Sequence, residues 1–304
     1  MKSGLEEKIR LLETLTDIKP LTEGTKNAPN DVRDYFRINR AAYRRFHSRE
    51  GFMHFRVTKG DAPSERDIYY QPDAISKYIP DKARVLELGS GQGANLRYLG
   101  GLRPDAQFVG ADLYPEPLKD APSNISQVRG DYSSLPQFPD ASFDVIFAIE
   151  TIVYVSDKDR AFQEVRRLLK PSGAFIVFDY ALKKPYESCR PLEQTAITLI
   201  SKCGACAMIE PQSAWEDLFE RHGFRRERVE DLSQETLPDL ERLARKAGNV
   251  LENRPKLAKT LFRLAPRHFT NNIIIGYLGF DSCKDGIIGY MEWAYRKPSD
   301  GDGA

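Results

Sequence analysis

The stretch Arg84–Leu99, RVLELGSGQGANLRYL, constrains this chain more than any other. Val85, Leu86 and Leu88 form an apolar run without polar alternation, which suits a strand buried on both faces of a parallel sheet. The run breaks into glycines at alternate positions, Gly89, Gly91 and Gly93, and Asn95 to Leu99 then reads as the first turns of a helix. Strand, glycine turn and helix together open a nucleotide-binding βαβ unit, in which glycine lets the backbone turn sharply and lets a ligand approach closely.

The spacing narrows the ligand. Dinucleotide loops read G-x-G-x-x-G and phosphate loops end in G-K-[ST]. Here Glu87 stands two residues before Gly89 and no lysine follows the glycines. A carboxylate at that place repels a pyrophosphate and welcomes a cation, such as the amino group of an amino-acid-like cofactor. That favours S-adenosylmethionine over a nicotinamide dinucleotide. The same glycine turn, taken alone, also fits a tight strand-to-helix connection.

Four further segments follow at ordinary βα spacing. QFVGADLY ends near Asp112, where an acid can hold both hydroxyls of a ribose. ISQVRGDYSSLP places Asp131 and Tyr132 beyond a third strand, to meet an adenine amino group and pack on the base. FDVIFAIETIVYV gives a fourth strand, Asp144 to Ile149, ending at Glu150, and RRLLKPSGAFIVFDY gives a helix, a Pro-Ser-Gly turn and a fifth strand. Each acid alone also fits a solvated loop residue or a helix cap. Four at successive strand ends point to a ligand, because open α/β sheets bind at those ends.

From Ala83 to Tyr180 these segments resemble the class I S-adenosylmethionine-dependent methyltransferases. The resemblance implies an α/β fold, a doubly wound, seven-stranded, mostly parallel Rossmann-like sheet. It implies that Glu87, Gly89, Ser90, Gly91, Gly93 and Asn95 surround the methionine part of the cofactor. Asp112 and Leu113 then meet the ribose, Gly130, Asp131 and Tyr132 flank the adenine, and Ile149 and Glu150 close the site beside the methyl group. The segment Gly51-Phe-Met-His-Phe-Arg56, with Met53, His54 and Phe55 matching, is similar to the aromatic-histidine segment of sterol and tocopherol-type methyltransferases. The closing Arg-Lys-Pro at 296–298 is similar to theirs too. Where the sterol enzymes carry an acid and tryptophans, Phe46, His47, Ser48 and Arg49 stand here.

The remaining chain divides around that core. Residues 1–80 read as an N-terminal helical arm and substrate wall, with a helix from Ser3 to Thr16, a linker from Lys19 to Asn30 and an aromatic helix from Asp31 to His47. Residues 81–235 read as the core, with a lid insertion at about 181–212. Within it, Ser213 reads as the N-cap of a helix, with Glu216 at the capping-box position and Gly223 as its stop. Residues 236–288 read as a helical cap, 289–298 as the last strand and 299–304 as a frayed tail. The cap piece Leu237 to His268 is amphipathic and strongly basic. That is either a solvated face or a surface for anionic lipid or an anionic substrate.

Composition sets the outer bounds. The 304 residues carry 45 Lys and Arg against 44 Asp and Glu, so bulk charge indicates no nucleic-acid partner. The charged start, MKSGLEEKIRLLETL, lacks the apolar core of a signal peptide, and no apolar run approaches the ~18 residues of a membrane span. The expectation is a cytoplasmic protein, with peripheral membrane contact through the basic cap as an option. Cys203-Gly-Ala-Cys206 has no second pair or histidine at ligand spacing, so no metal is assigned and an apolar lid helix is expected there.

The expected chemistry is methyl transfer. An oxygen or amine acceptor needs a base, for which His54 and Glu150 are the candidates, although His54 also fits a packed, hydrogen-bonded histidine. An alkene acceptor needs aromatic faces to stabilise a cation and a base for the last proton. Phe52, Phe55, Tyr70 and Tyr154 are the expected acceptor contacts. C-methylation of an isoprenoid, sterol or lipid-like compound leads, followed by N- or O-methylation of a specialised metabolite. A non-catalytic partner or scaffold with this fold is the alternative of another class. A nucleic-acid methyltransferase is disfavoured by the charge balance and by the lack of an Asn-Pro-Pro-Tyr-type motif after the fourth strand.

Overall fold

The structure, a computed structural model, describes residues 4–22, 29–118 and 121–299. The expected linker begins instead as a short helix, Lys19–Thr22; its residues 23–28, and residues 300–304 of the expected tail, lie outside the described residues. Ahead of the sheet come α1 (Gly4–Leu15), α2 (Lys19–Thr22), α3 (Pro29–Phe46) and α4 (Tyr70–Ser76). The sheet is built from β1 (Arg84–Leu88), β2 (Gln107–Asp112), β3 (Ile125–Arg129), β4 (Phe143–Ile149), β5 (Leu169–Leu182), β6 (Arg225–Asp231) and β7 (Ile288–Arg296). Between them run α5 (Ala94–Leu102), α6 (Lys158–Leu168), α7 (Pro191–Cys203), α8 (Gln212–Arg221), α9 (Ser233–Leu251), α10 (Pro255–Leu264) and α11 (Arg267–Lys284).

The strand order is β3-β2-β1-β4-β5-β7-β6, with β7 antiparallel to both of its neighbours and the other pairs parallel. The expected mostly parallel, seven-stranded sheet is therefore present. The chain turns outward in both directions from β1, and that reversal opens a crevice at the carboxyl ends of β1 and β4. Val85, Leu86 and Leu88 are fully buried, as their unbroken apolar run requires. On one sheet face Phe162 of α6 meets Phe175, Phe219 and Phe224 at ring-centroid distances of 5.3, 4.8 and 6.3 Å.

Two local expectations are corrected. The Pro-Ser-Gly turn lies within β5. Phe143 pairs with Leu169 and Val145 with Ala174, so the intervening residues bulge out, with Ser172 at φ 61°. Ser213 is not the N-cap of α8. The chain stays extended up to Pro211, which bridges Leu182, so the helix starts two residues earlier and Glu216 accepts from Gln212 Nε2 at 2.8 Å instead of closing a capping box. The basic piece 237–268 is spread over α9, α10 and the start of α11, with Pro255 and Pro266 at the two helix starts that proline favours.

The arm and the cap pack on each other. Leu5, Ile9, Leu12 and Leu15 of α1 are buried in one cluster with Ile274, Tyr277 and Leu278 of α11. Lys8 Nζ pairs with Asp281 at 2.5 Å and donates to the Tyr277 carbonyl at 2.7 Å. Among the described residues no helix is long and apolar enough to cross a membrane.

Phe162→Ala should cost about 3–5 kcal/mol of stability, because it empties the centre of an aromatic cluster that cannot collapse onto the gap. Urea unfolding followed by near-ultraviolet circular dichroism measures the loss, and a change below about 1 kcal/mol would contradict this packing.

Candidate functional site

Gly89 and Gly91 shape the floor of the site. Both have positive φ, 75° and 49°. A Cβ on Gly89 would stand 2.7 Å from Thr151 Cβ, and one on Gly91 would stand 2.9 Å from Met53 Cε. Thr151 is held there by its hydroxyl, which donates to the Leu88 carbonyl at 2.9 Å. Asp112, at the end of β2, accepts from Gly91 N at 2.8 Å and Tyr114 N at 2.7 Å. Each of its oxygens keeps a lone pair for a hydroxyl donor. Ser90 accepts from Gln127 Nε2 at 2.9 Å, which ties the loop to β3.

Glu87 is buried beneath this loop. Its Oε1 accepts from Asn95 Nδ2 at 2.9 Å, and its Oε2 has no partner among the described residues. Burial pushes its carboxyl up to about 8. An orphaned buried carboxyl oxygen fits a site whose ligand brings a cation.

Asn95 continues to His54. Its Oδ1 lies 3.1 Å from His54 Nε2, while His54 Nδ1 lies 3.2 Å from the Phe55 carbonyl. Burial lowers His54 to about 4, so the imidazole is neutral and its single N–H serves one of these two oxygens. His54 is a packed, hydrogen-bonded histidine in a wall of the cavity.

Glu150 follows β4 with φ 53°, a left-handed conformation that costs a non-glycine residue about 1–2 kcal/mol. The turn brings its carboxylate back over the sheet end. Oε1 accepts from Phe55 N at 2.7 Å, and Oε2 accepts a short hydrogen bond from the Tyr180 hydroxyl. Phe55, Tyr180 and Tyr290 enclose it, with ring centroids 5.6, 5.9 and 6.0 Å apart. Burial raises Glu150 to about 8, with the Tyr180 and Phe55 donors opposing the shift. Gln71 supports the cage by donating to the Phe55 carbonyl at 2.8 Å and the Tyr290 hydroxyl at 3.1 Å.

A single cavity of about 1520 Å³ joins these parts. At one end it meets Glu87, Asp112 and Asp131. At the other it runs beneath the cap, past Leu240 and Ala247 of α9 and Ile273, Gly276 and Gly279 of α11. Pockets for one small molecule span about 300–1,000 Å³, so this space takes a cofactor and a bulky acceptor together. Helix α3 closes the mouth through Arg40, which pairs with Glu116, and Arg44, whose Nε donates to Gln92 at 3.0 Å.

Most of the expected residues meet here. Glu87, Gly89, Ser90, Gly91, Asn95, Asp112, Leu113, Asp131, Tyr132, Ile149, Glu150, Phe52, His54, Phe55 and Tyr154 all line the cavity. Asp131 is exposed and accepts from Ser133 N at 2.9 Å, and Tyr132 donates to the Thr151 carbonyl at 2.7 Å. Gly93 and Gly130 support loops behind the wall and do not line it. Tyr70 is a correction. It belongs to a second cavity of about 260 Å³, where its ring meets Phe178 and its hydroxyl donates to Glu292 at 3.5 Å. Phe178 pairs with Glu292 two rungs below the Tyr180–Tyr290 pair, so Tyr70 sits too far from the strand ends. Tyr180, Tyr290 and Gln71 were missed by sequence reasoning. The two tyrosines meet only through the β5–β7 register, which no local motif encodes.

Residues 86–177 match the family model described as a methyltransferase domain. These residues form a methyltransferase domain. Over 130 residues the chain is 33% identical to sterol 24-C-methyltransferase ERG6B of Gibberella zeae, covering 40% of this chain and 33% of that protein. The chain spans about a third to a half of the length of the curated relatives it matches first. Among solved structures, the [4+2]-cyclase SpnF superposes with a TM-score of 0.65 at 18% identity, covering 91% of this chain and 98% of that one. A geranyl diphosphate methyltransferase in complex with GPP and sinefungin superposes with a TM-score of 0.58 at 14% identity, covering 81% and 89%. The first of these likenesses covers nearly the whole chain, so the shared fold reaches well beyond the matched domain.

Buried acids give the domain a defined pH dependence. Burial holds Glu87 and Glu150 up at about 8 and Asp179 at about 7. Their folded values lie above their unfolded ones, so the native state binds the extra protons. Their stabilisation is complete below the unfolded carboxyl range and is lost as pH rises through the folded values. The ligand-free protein should therefore lose urea stability between about pH 5 and pH 8, and Glu150→Gln should flatten that slope. A slope identical to wild type would remove Glu150 as a source.

Proposed function

We propose that the chain transfers a methyl group from S-adenosylmethionine to a carbon of a hydrophobic isoprenoid, sterol or lipid-like acceptor. The observation that carries this reading is the single cavity, polar and acid-lined at the strand ends and apolar beneath the cap, with Glu150 caged by three aromatic rings between the two. The sterol methyltransferase named above supports the acceptor class.

The polar end fits the cofactor. Glu87 would face its amino group, Asp112 its ribose hydroxyls, and Asp131 and Tyr132 its adenine. When bound, the cofactor supplies an electrophilic methyl group on a sulfonium. The glycine loop and α3 would fix that group against the acceptor and exclude water, and such orientation accounts for up to about 7–11 kcal/mol of barrier. Transfer of that methyl to the π pair of an alkene, with the carbon–sulfur pair left on sulfur, would place positive charge on the acceptor. The faces of Phe55, Tyr180 and Tyr290 stabilise that charge. The Glu150 carboxylate then removes a proton from an adjacent carbon and restores the double bond. A carboxyl raised to about 8 is well matched to a base working near neutrality. In this reading His54 positions Asn95 and Phe55 and is not the base.

Residues 1–80 then serve as the substrate wall, 81–235 with 289–298 as the cofactor domain and 236–288 as the cap. An acceptor of this kind lives in lipid, which favours a peripheral membrane contact on the cap.

Calorimetric titration with S-adenosylmethionine and S-adenosylhomocysteine is the direct test, and micromolar binding of either is expected. Asp112→Asn should weaken binding about tenfold to a hundredfold through two lost charge-assisted hydrogen bonds. Unchanged affinity would sink the ribose assignment. Glu150→Gln should keep cofactor affinity while kcat on an isoprenoid or sterol acceptor falls about 10²–10⁴-fold. Retained turnover would exclude Glu150 as the base.

A further inference from the structure

Helix α10 lies on the surface of the cap and splits into three faces. Ala258 is buried at 1% exposure and Phe262 packs inward with it. Leu257, Leu261 and Leu264 stand at i, i+4 and i+7, one stripe of a helix, and two of them are open, Leu257 at 43% and Leu264 at 74% exposure. Lys256, Lys259 and Arg263 occupy the third face and are exposed. Arg254 and Arg267 flank the helix, also exposed, and no Asp or Glu occurs between them.

A folded protein gains nothing by presenting leucine to water beside uncompensated cations. The combination fits one partner well: a bilayer whose anionic headgroups meet the cations while the leucines enter the boundary with the acyl chains. The stripe also leads inward, because Leu261 lines the large cavity.

We propose that α10 docks the protein on an anionic phospholipid surface, with Leu257 and Leu264 inserted, Lys256, Lys259 and Arg263 on the headgroups, and Leu261 at the threshold of the acceptor cavity. The docking rests on the geometry of α10. Its purpose, delivery of a membrane-dissolved acceptor, rests on the function proposed above. A second copy of the chain is the competing occupant, and the charge of the face disfavours it, because two such faces would repel.

Flotation with vesicles tests the docking separately from the chemistry. The full chain should bind phosphatidylcholine vesicles carrying roughly one part in three phosphatidylserine, bind pure phosphatidylcholine at least about tenfold more weakly, and release as salt rises. The pair Lys256→Glu and Lys259→Glu should lower the affinity for anionic vesicles about a hundredfold, and the pair Leu257→Ser and Leu264→Ser at least about tenfold. Both variants should bind S-adenosylmethionine, and turn over detergent-dispersed acceptor, as wild type does. Equal binding to neutral and anionic vesicles, binding unmoved by both pairs, or lipid-independent self-association abolished by the leucine pair would overturn the proposal. Loss of all methyl transfer with anionic binding intact would instead refute the function and leave the docking standing.

Discussion

The placement of the Glu150 carboxylate organises this molecule. It sits in a left-handed turn after β4, accepts one hydrogen bond from the arm through Phe55 N and another from β5 through Tyr180, and is roofed by Tyr290 of β7. Four stretches far apart in sequence therefore converge on one carboxyl group. A carboxylate withdrawn from water is tolerated only when such donors surround it. The cage is thus both a structural knot and a tuned acid, and neither role can be altered alone.

The same desolvation divides the cavity. Acids are kept at the strand ends, where backbone N–H groups and side-chain amides bond them: Asp112 by Gly91 and Tyr114, Glu87 by Asn95. Beneath the cap the walls are mainly leucine, isoleucine, alanine and glycine, interrupted by Thr236, Lys246, Asn249 and Asn272. Polar and apolar demands are met in one space because the sheet supplies donors at its edge, while the helices crossing it need none from the cavity. His54 marks the border, neutral and with its one N–H on the oxygen of Asn95 or of Phe55.

How much of this was legible in the sequence follows from what is local. The strand–glycine–helix signal at 84–99 and the acids ending β1, β2 and β4 lie in short windows, and their places in the sheet follow from topology rules for βαβ units. Cap geometry was less legible, since the basic periodicity of 237–268 ran across two prolines that divide it. Tyr70 was placed two rungs from the level it packs on, and Tyr180 and Tyr290 went unnoticed, for one reason. Antiparallel register between β5 and β7 is set by tertiary packing over a long separation, and a shift of one residue exchanges the faces.

The order of the sheet has a consequence for how the chain is made. β7 follows the whole cap in sequence, yet it lies between β5 and β6. During synthesis β5 and β6 emerge with no neighbour to join them, and each offers a free hydrogen-bonding edge until the cap has been translated and β7 can be inserted. The cap therefore closes a long loop before the sheet is continuous, an entropic demand that slows completion of the fold. β6 is rich in Arg and Glu along its exposed side, and those charges discourage another nascent chain from taking the place reserved for β7.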